Sequence, residues 1–254
     1  DSDARARGLA EDLIKSPSSS PVDLVIFATP IGALDSVLDG EFAGNPKAAF
    51  IDISSVKSKV KVEVSTSELP LNRFLPTHPM AGREVGGAES ARADLFQGRP
   101  WIIDTHGVDG DVVEKASELI ELLGGHQIDL DSSEHDRAVA LVSHLPQLVS
   151  SLLAKQLNGG EERWLDLAGA GLRDTTRIAG SDSKLWREII TANSQAITPL
   201  LLALQNDLNG LISSIEDAVS SREPACCSVR ADRSMFPEAI WVEAEAIDSV
   251  PLRT

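Results

Sequence analysis

From residue 22 to 130, short apolar runs alternate with segments whose apolar residues recur every three or four positions. That alternation predicts parallel strands covered by helices. The runs at 23–28, 49–53, 73–76, 101–104 and 126–130 are the expected strands. Between the last two, Val112, Val113, Ala116, Leu119, Ile120 and Leu123 keep helical spacing, and Gly124-Gly125 supplies a stop.

Beyond residue 131 the strand pattern disappears. Ser132 or Ser133 is expected to cap a helix reaching about Asn158, where Gly159-Gly160 ends it, and a short helix is expected over 174–179. Ser181 or Asp182 caps the next, and Leu201, Leu204, Leu208, Leu211, Ile215 and Val219 form an apolar stripe. The chain therefore divides into an α/β part (1–131), an all-helical part (132–222) and an irregular tail (223–254). Such apolar helices need a partner surface, and a second copy of the chain is the expected one.

Charge narrows the function classes. With 23 Lys+Arg against 39 Asp+Glu the net charge is −16, and no basic patch offsets it, so nucleic acid is excluded as a partner. The longest strongly apolar stretch, 197–204, is far shorter than the ~20 residues of a spanning helix, so no membrane is expected. Two adjacent cysteines, Cys226 and Cys227, and no signal-peptide pattern at Asp1-Ser2-Asp3 point to the cytoplasm.

Ligands of parallel sheets bind outside the carboxyl ends of the strands. Three strings fall there: Thr29-Pro30, the run from Asp52 through Ser54-Ser55 to Lys57, and His78-Pro79. Proline holds the residue before it extended, which aims His78 off the strand end. Asp52 read alone is a helix cap, with Lys57 and Lys59 in solvent. Inside the long helix, Pro146 must disturb the carbonyl of Val142, and Ser143, Gln147 and Ser150 share a polar stripe bordered by His144. On a regular helix His135 lies about 180° from His144, so His135 is read as structural and His144 as the pocket histidine. Arg173 and Arg177, four apart, suit a carboxylate ligand. No His, Cys or acidic set has metal spacing, so no metal is expected.

Together these strings carry a resemblance. Ala28-Thr29-Pro30, Ser55-Val56-Lys57, His78-Pro79-Met80-Ala81-Gly82, Leu95-Phe96-Gln97-Gly98, His135-Asp136, Ser143-His144-Leu145-Pro146, Asp174-Thr175-Thr176-Arg177-Ile178-Ala179 and Ser181-Asp182 with Trp186 follow the order of prephenate dehydrogenases. The sequence resembles that family and its arogenate-using relatives over about residues 1–220. The resemblance implies a Rossmann-like dinucleotide-binding domain followed by a helical dimerisation domain, and a homodimer. It implies oxidative decarboxylation of prephenate to 4-hydroxyphenylpyruvate in tyrosine biosynthesis, with hydride passing to NAD or NADP. It assigns catalysis to His78 and Ser55, substrate binding to Arg177, His144, Gln147 and Thr176, and cofactor binding to Thr29, Pro30 and Ser55. Some members carry a histidine where Gln147 stands.

No Gly-x-Gly-x-x-Gly turn occurs in the 254 residues. The segment from Asp1 is accordingly read as the end of the second strand of an incomplete βαβ unit, with Asp1 or Asp3 as the ribose-binding acid. Two alternatives stay open beside prephenate dehydrogenase: arogenate dehydrogenase, and a dimerising fragment without cofactor. A β-hydroxyacid-type dehydrogenase would need Lys155 or Lys184 in a supporting motif that neither has.

Overall fold

In the computed structural model, residues 22–82 and 91–220 are described. Five strands form one sheet in the order β1 (Leu24–Phe27), β2 (Ala49–Asp52), β3 (Phe74–Pro79), β4 (Pro100–Ile103) and β5 (His126–Asp129). The first three pair in parallel, with Phe50 opposite Phe74 and Ile51 opposite Leu75. β4 runs antiparallel to β3, and β5 is parallel to β4. The expected all-parallel sheet is therefore mixed. A parallel pair needs a crossover, whereas antiparallel neighbours can be joined along one edge without one.

Alternation along the buried strands supplies two cores. Phe27, Phe50 and Phe74 face α1 (Asp35–Gly44) and α2 (Ser58–Ser65) through Leu34, Leu38, Val60 and Val64. Ile51, Leu75, Trp101 and Ile103 face α3 (Gly110–Leu122) through Val112, Ala116 and Ile120. A smaller cluster of Ile31, Val56 and Ile189, with Trp186 beside it, pins the turns after β1 and β2 to a later helix.

The long helix begins on Asp131, whose carboxylate accepts from the backbone N–H of Ser133 and Glu134, so the cap is one residue earlier than the serines predicted. α4 (Ser132–Val139) passes through a π turn (Ala140–His144) into α5 (Leu145–Leu157). The π turn is closed by the Leu145 N–H on the carbonyl of Ala140, five residues back. Pro146 explains it: proline has no N–H and its ring crowds the carbonyl of Val142, and the wider turn relieves both. By length and mean hydropathy of 1.2 the run Ser132–Leu157 could pass for a membrane span. Its buried His135, Asp136, His144 and Gln147 are instead hydrogen-bonded within the protein.

α6 (Glu162–Leu165), α7 (Ala170–Thr176), a 3-10 turn (Arg177–Gly180) and α8 (Ser183–Ala192) come next, the last capped by Asp182 as expected. α9 (Ser194–Ser220) ends the described chain. The chain divides into two compact units after Ile197, so the sheet and the helices up to α8 belong to one unit. In the second unit Leu208, Ile215 and Val219 of the predicted stripe are exposed, with Leu202 and Ile212 beside them.

Candidate active site

The site is built on the carboxyl end of β2. Asp52 is fully buried and forms an ion pair with the equally buried Lys57 ammonium. Its carboxylate also accepts from the backbone of Ser54 (3.0 Å) and Thr77 (3.1 Å), while Lys57 Nζ donates to the Thr77 carbonyl at 2.6 Å. Thr77 Oγ1 donates to the Asp52 carbonyl (2.6 Å) and accepts from the Trp101 indole (3.0 Å). The reading of Lys57 as solvated is thus wrong. Its long stem turns inward because a fully buried carboxylate needs a countercharge.

β3 extends further than its apolar run predicted, so His78 sits within it, opposite Ile102 of β4, and not beyond its end. The half-buried His78 places Nδ1 2.8 Å from Nε2 of His135. The other nitrogen of His135, Nδ1, lies 2.8 Å from Asp136 Oδ1. Asp136 in turn accepts the backbone N–H of Lys57 and of Ser58, each at 2.8 Å, which fastens α4 to the start of α2. Asn193 closes the group by donating to the Asp136 carbonyl (2.8 Å) and to Nδ1 of His144 (3.1 Å). The His144 ring stands edge-on to Trp186 at 5.9 Å.

His135 and His144 therefore belong to one cluster, against the expectation that they face apart. A π turn takes in one extra residue and rotates the rest of the helix by about 100°, which cuts the 180° separation to roughly 80°. His135 is legible as part of the His135-Asp136 string, but regular helical phase argues against it.

Electrostatics sets the charge states. Burial lowers His78 well below the usual imidazole value, and the neighbouring Lys57 ammonium, His135 and His144 push the same way against Asp136. Burial likewise lowers His144 to about 4, opposed by Asp136. Burial raises the Asp136 carboxyl, but hydrogen bonds from His135, Lys57 and Ser58 outweigh it and hold it ionised. Lys57 is lowered by burial and restored in part by Asp52.

The other predicted residues lie in the turns after β1 and β2, on α5, and at the end of α7. Ser55 lies half-buried in the turn between β2 and α2, and the partly buried Thr29 follows β1 with the exposed Pro30 next to it. The Thr29 hydroxyl oxygen is itself buried and has no partner among the described residues. Gln147 is buried, and its amide donates to the carbonyl of Ile178 at 2.9 Å, tying α5 to the 3-10 turn. Thr176 bonds back to Leu172 at 2.7 Å, and Arg177 is exposed, opening the 3-10 turn beyond the end of α7. The expected helix over 174–179 is thus an α turn running into a 3-10 turn, so Arg173 and Arg177 do not share one regular helix. Asp1 and Asp3 lie outside the described residues, as do Cys226 and Cys227.

One group, Asp104, His106 and Asp131, has metal-like geometry among the described residues, where the sequence spacing suggested none. Its acceptors are already committed. Asp104 binds Ser132, His106 and the Lys61 ammonium at 2.9 Å, and Asp131 caps α4.

Comparison with known proteins identifies the family of the chain. Residues 2–129 match the family model for the nucleotide-binding domain of prephenate dehydrogenase, and residues 131–223 match its dimerisation domain. A probable prephenate dehydrogenase of Streptomyces niveus is 30% identical over 196 residues, covering 76% of this chain and 54% of the relative. The chain thus spans about half the length of that relative. A cyclohexadienyl dehydrogenase of Zymomonas mobilis is 31% identical over 222 residues, covering 84% of this chain and 75% of the relative. The crystal structure of a prephenate dehydrogenase from Aquifex aeolicus, solved with hydroxyphenyl propionate and NAD+, shares the fold with a TM-score of 0.77. The two are 22% identical, over 98% of this chain and 87% of that one. Two family models that between them cover nearly the whole chain, and a 31% identical relative matched over most of both lengths, establish that it belongs to the prephenate dehydrogenase family.

Proposed function

We propose that the chain carries the active site for oxidative decarboxylation of prephenate to 4-hydroxyphenylpyruvate and carbon dioxide. The observation that carries this reading is the half-buried His78, kept neutral by burial and by Lys57, on the strand next to the turn that holds Ser55. NAD+ would accept the hydride; the family's nucleotide-binding domain and the NAD+ in the Aquifex structure support that choice, with NADP as the alternative. Thr29, with a buried hydroxyl lacking a partner among the described residues, Pro30 and Ser55 fit the place where it would be held, and Asp1 or Asp3 is assigned its ribose.

His78 takes the proton of the ring hydroxyl as its carbon loses hydride, and returns it to the phenolic oxygen once the ring carboxylate has left. Aromatisation supplies much of the driving force, so the protein's part is mainly orientation. Arg177 pairs with a substrate carboxylate, and His144, Gln147 and Thr176 line the same pocket, Gln147 by fixing the turn that bears Arg177. The boundary at 131/132 divides the cofactor part from the part that binds substrate and pairs in a homodimer. The exposed apolar side chains on the π turn and α5 (Leu141, Val142, Leu152) and on α9 (Leu208, Ile215) support that pairing. The adjacent cysteines support a cytoplasmic protein. Arogenate, with an amino group for the keto group, fits the same ring chemistry, and the cyclohexadienyl relative leaves room for both.

The test is appearance of NADH on adding prephenate or arogenate. Turnover of prephenate at the higher kcat/KM is the expected result. Binding of NAD without turnover of either substrate would overturn the reading.

A further inference from the structure

Helical phase alone makes His135 structural, yet it is the residue through which the buried carboxylate of Asp136 reaches His78. A hydrogen bond between two ring nitrogens holds one proton. His135 Nδ1 faces an ionised carboxylate at 2.8 Å, so that nitrogen carries hydrogen. In a neutral imidazole so hydrogen-bonded, Nε2 of His135 is bare and can only accept. The proton in the 2.8 Å contact then sits on His78 Nδ1, and Nε2 of His78 is left with its lone pair.

Asn193 imposes the reverse on His144. Its Nδ2 must donate to the Asp136 carbonyl, which fixes the orientation of the amide, and an amide nitrogen cannot accept. Nδ1 of His144 is therefore the acceptor at 3.1 Å, and its hydrogen sits on Nε2.

We propose that Asp136 sets the two site histidines in opposite tautomers, with His135 as the positioning residue that leaves His78 a proton acceptor and Asn193 the one that leaves His144 a proton donor. Asp136 reaches the first through its carboxylate and the second through its backbone carbonyl. His78 is thus ready to take a hydroxyl proton, while His144 offers N–H to a keto or carboxylate oxygen. When His78 gains a proton at Nε2, its Nδ1 hydrogen has a path to His135, whose positive charge would rest against Asp136. The role in turnover rests on the assignment of His78 as the base; the tautomers do not.

The chain has five histidines, so the ring nitrogens of protein labelled with 15N-histidine are tractable by NMR. The expected spectrum shows His78 protonated at Nδ1 and His144 at Nε2, assigned by loss of signals in His78→Asn and His144→Asn. His135→Phe should move His78 away from the pure Nδ1–H form and lower kcat on the order of 10²-fold with KM for prephenate unchanged, the signature of a wrong tautomer. His135→Gln, whose carbonyl can accept the same hydrogen, should restore most of both. A wild-type spectrum with His78 protonated at Nε2 overturns the proposal whatever the activity, and needs no variant to fold. An unchanged His78 spectrum in His135→Phe also overturns it. Full activity of His78→Asn with the expected tautomers would instead overturn the base assignment alone.

Discussion

Two parts of the site are built on opposite principles. Where β2, β3 and α4 meet, Asp52, Lys57, His135 and Asp136 are buried and each is held by several partners. In the stretch from α7 through the 3-10 turn, Arg177 is exposed, Thr176 bonds to its own helix, and one amide from Gln147 ties the turn down. The first part fixes proton positions before any ligand arrives. The second holds its cation at the surface, open to solvent. Under the proposed assignment, the chemistry that moves protons falls in the rigid corner and recognition in the tethered turn.

Substitutions can break that contrast. His78→Asn should lower kcat by ~10²–10⁴ with little change in KM, as loss of a general base does. NADH formation from prephenate measures it, and retention of more than half the wild-type kcat would remove His78 from the chemistry. Lys57→Met leaves the buried Asp52 carboxylate without its countercharge and should cost about 3–5 kcal/mol in denaturant unfolding. The double variant with Asp52→Asn should recover much of that, and a single variant as stable as wild type would show that the pair is not the keystone described. Arg177→Ala should leave the fold untouched and raise KM for prephenate by ~10–150-fold, a loss of about 1.5–3 kcal/mol for one charged contact. A fall in thermal stability with KM unchanged would move Arg177 from recognition to structure. Gln147→Ala removes the 2.9 Å hydrogen bond to Ile178, with a longer one to Ser151, and should cost about 0.5–1.5 kcal/mol for the first. Its effect should appear as a several-fold rise in KM; an effect on kcat alone would blur the division between the two parts.

Acid sharpens the comparison differently. His144 is lowered in the fold from 6.5 to about 4, so between those values the unfolded chain binds more protons. Its contribution to stability is complete above pH 6.5 and is lost as pH falls toward 4, and His78 adds in the same direction. Thermal unfolding across pH 7 to 4 should show that decline, flattened in His144→Gln. An increase in Tm on acidification would contradict the buried neutral state.

How much of this could be read from residue order varies with the range of the interaction. Strands at 24–27 and 49–52 and the helix carrying Val112, Ala116 and Ile120 follow from local pattern, because a short apolar run or a stripe of helical period is visible without knowing what covers it. The direction of β4 does not, since apolar strands look alike run either way. Burial of Lys57 is equally silent: its reason is Asp52, but only the fold shows that both lie under Thr77. His78, His144 and Gln147 stand out as polar interruptions of apolar or extended stretches. His135 fails for a definable reason, because counting at 100° per residue assumes a turn size that Pro146 alters within the same helix.

That altered turn also bears on how the protein can change over generations. A helix joined through a wide turn keeps its two halves in phase by residue number, whatever side chains occupy positions 140–144. Substitutions there leave the count intact, so Leu141 and Val142, both exposed, are free to drift toward whatever surface covers them. Loss of a single residue would restore a regular helix with His135 and His144 still roughly 80° apart, whereas gain of one would swing His144 by about 100° away from Asn193. The segment should tolerate exchange at most positions and a one-residue insertion at none.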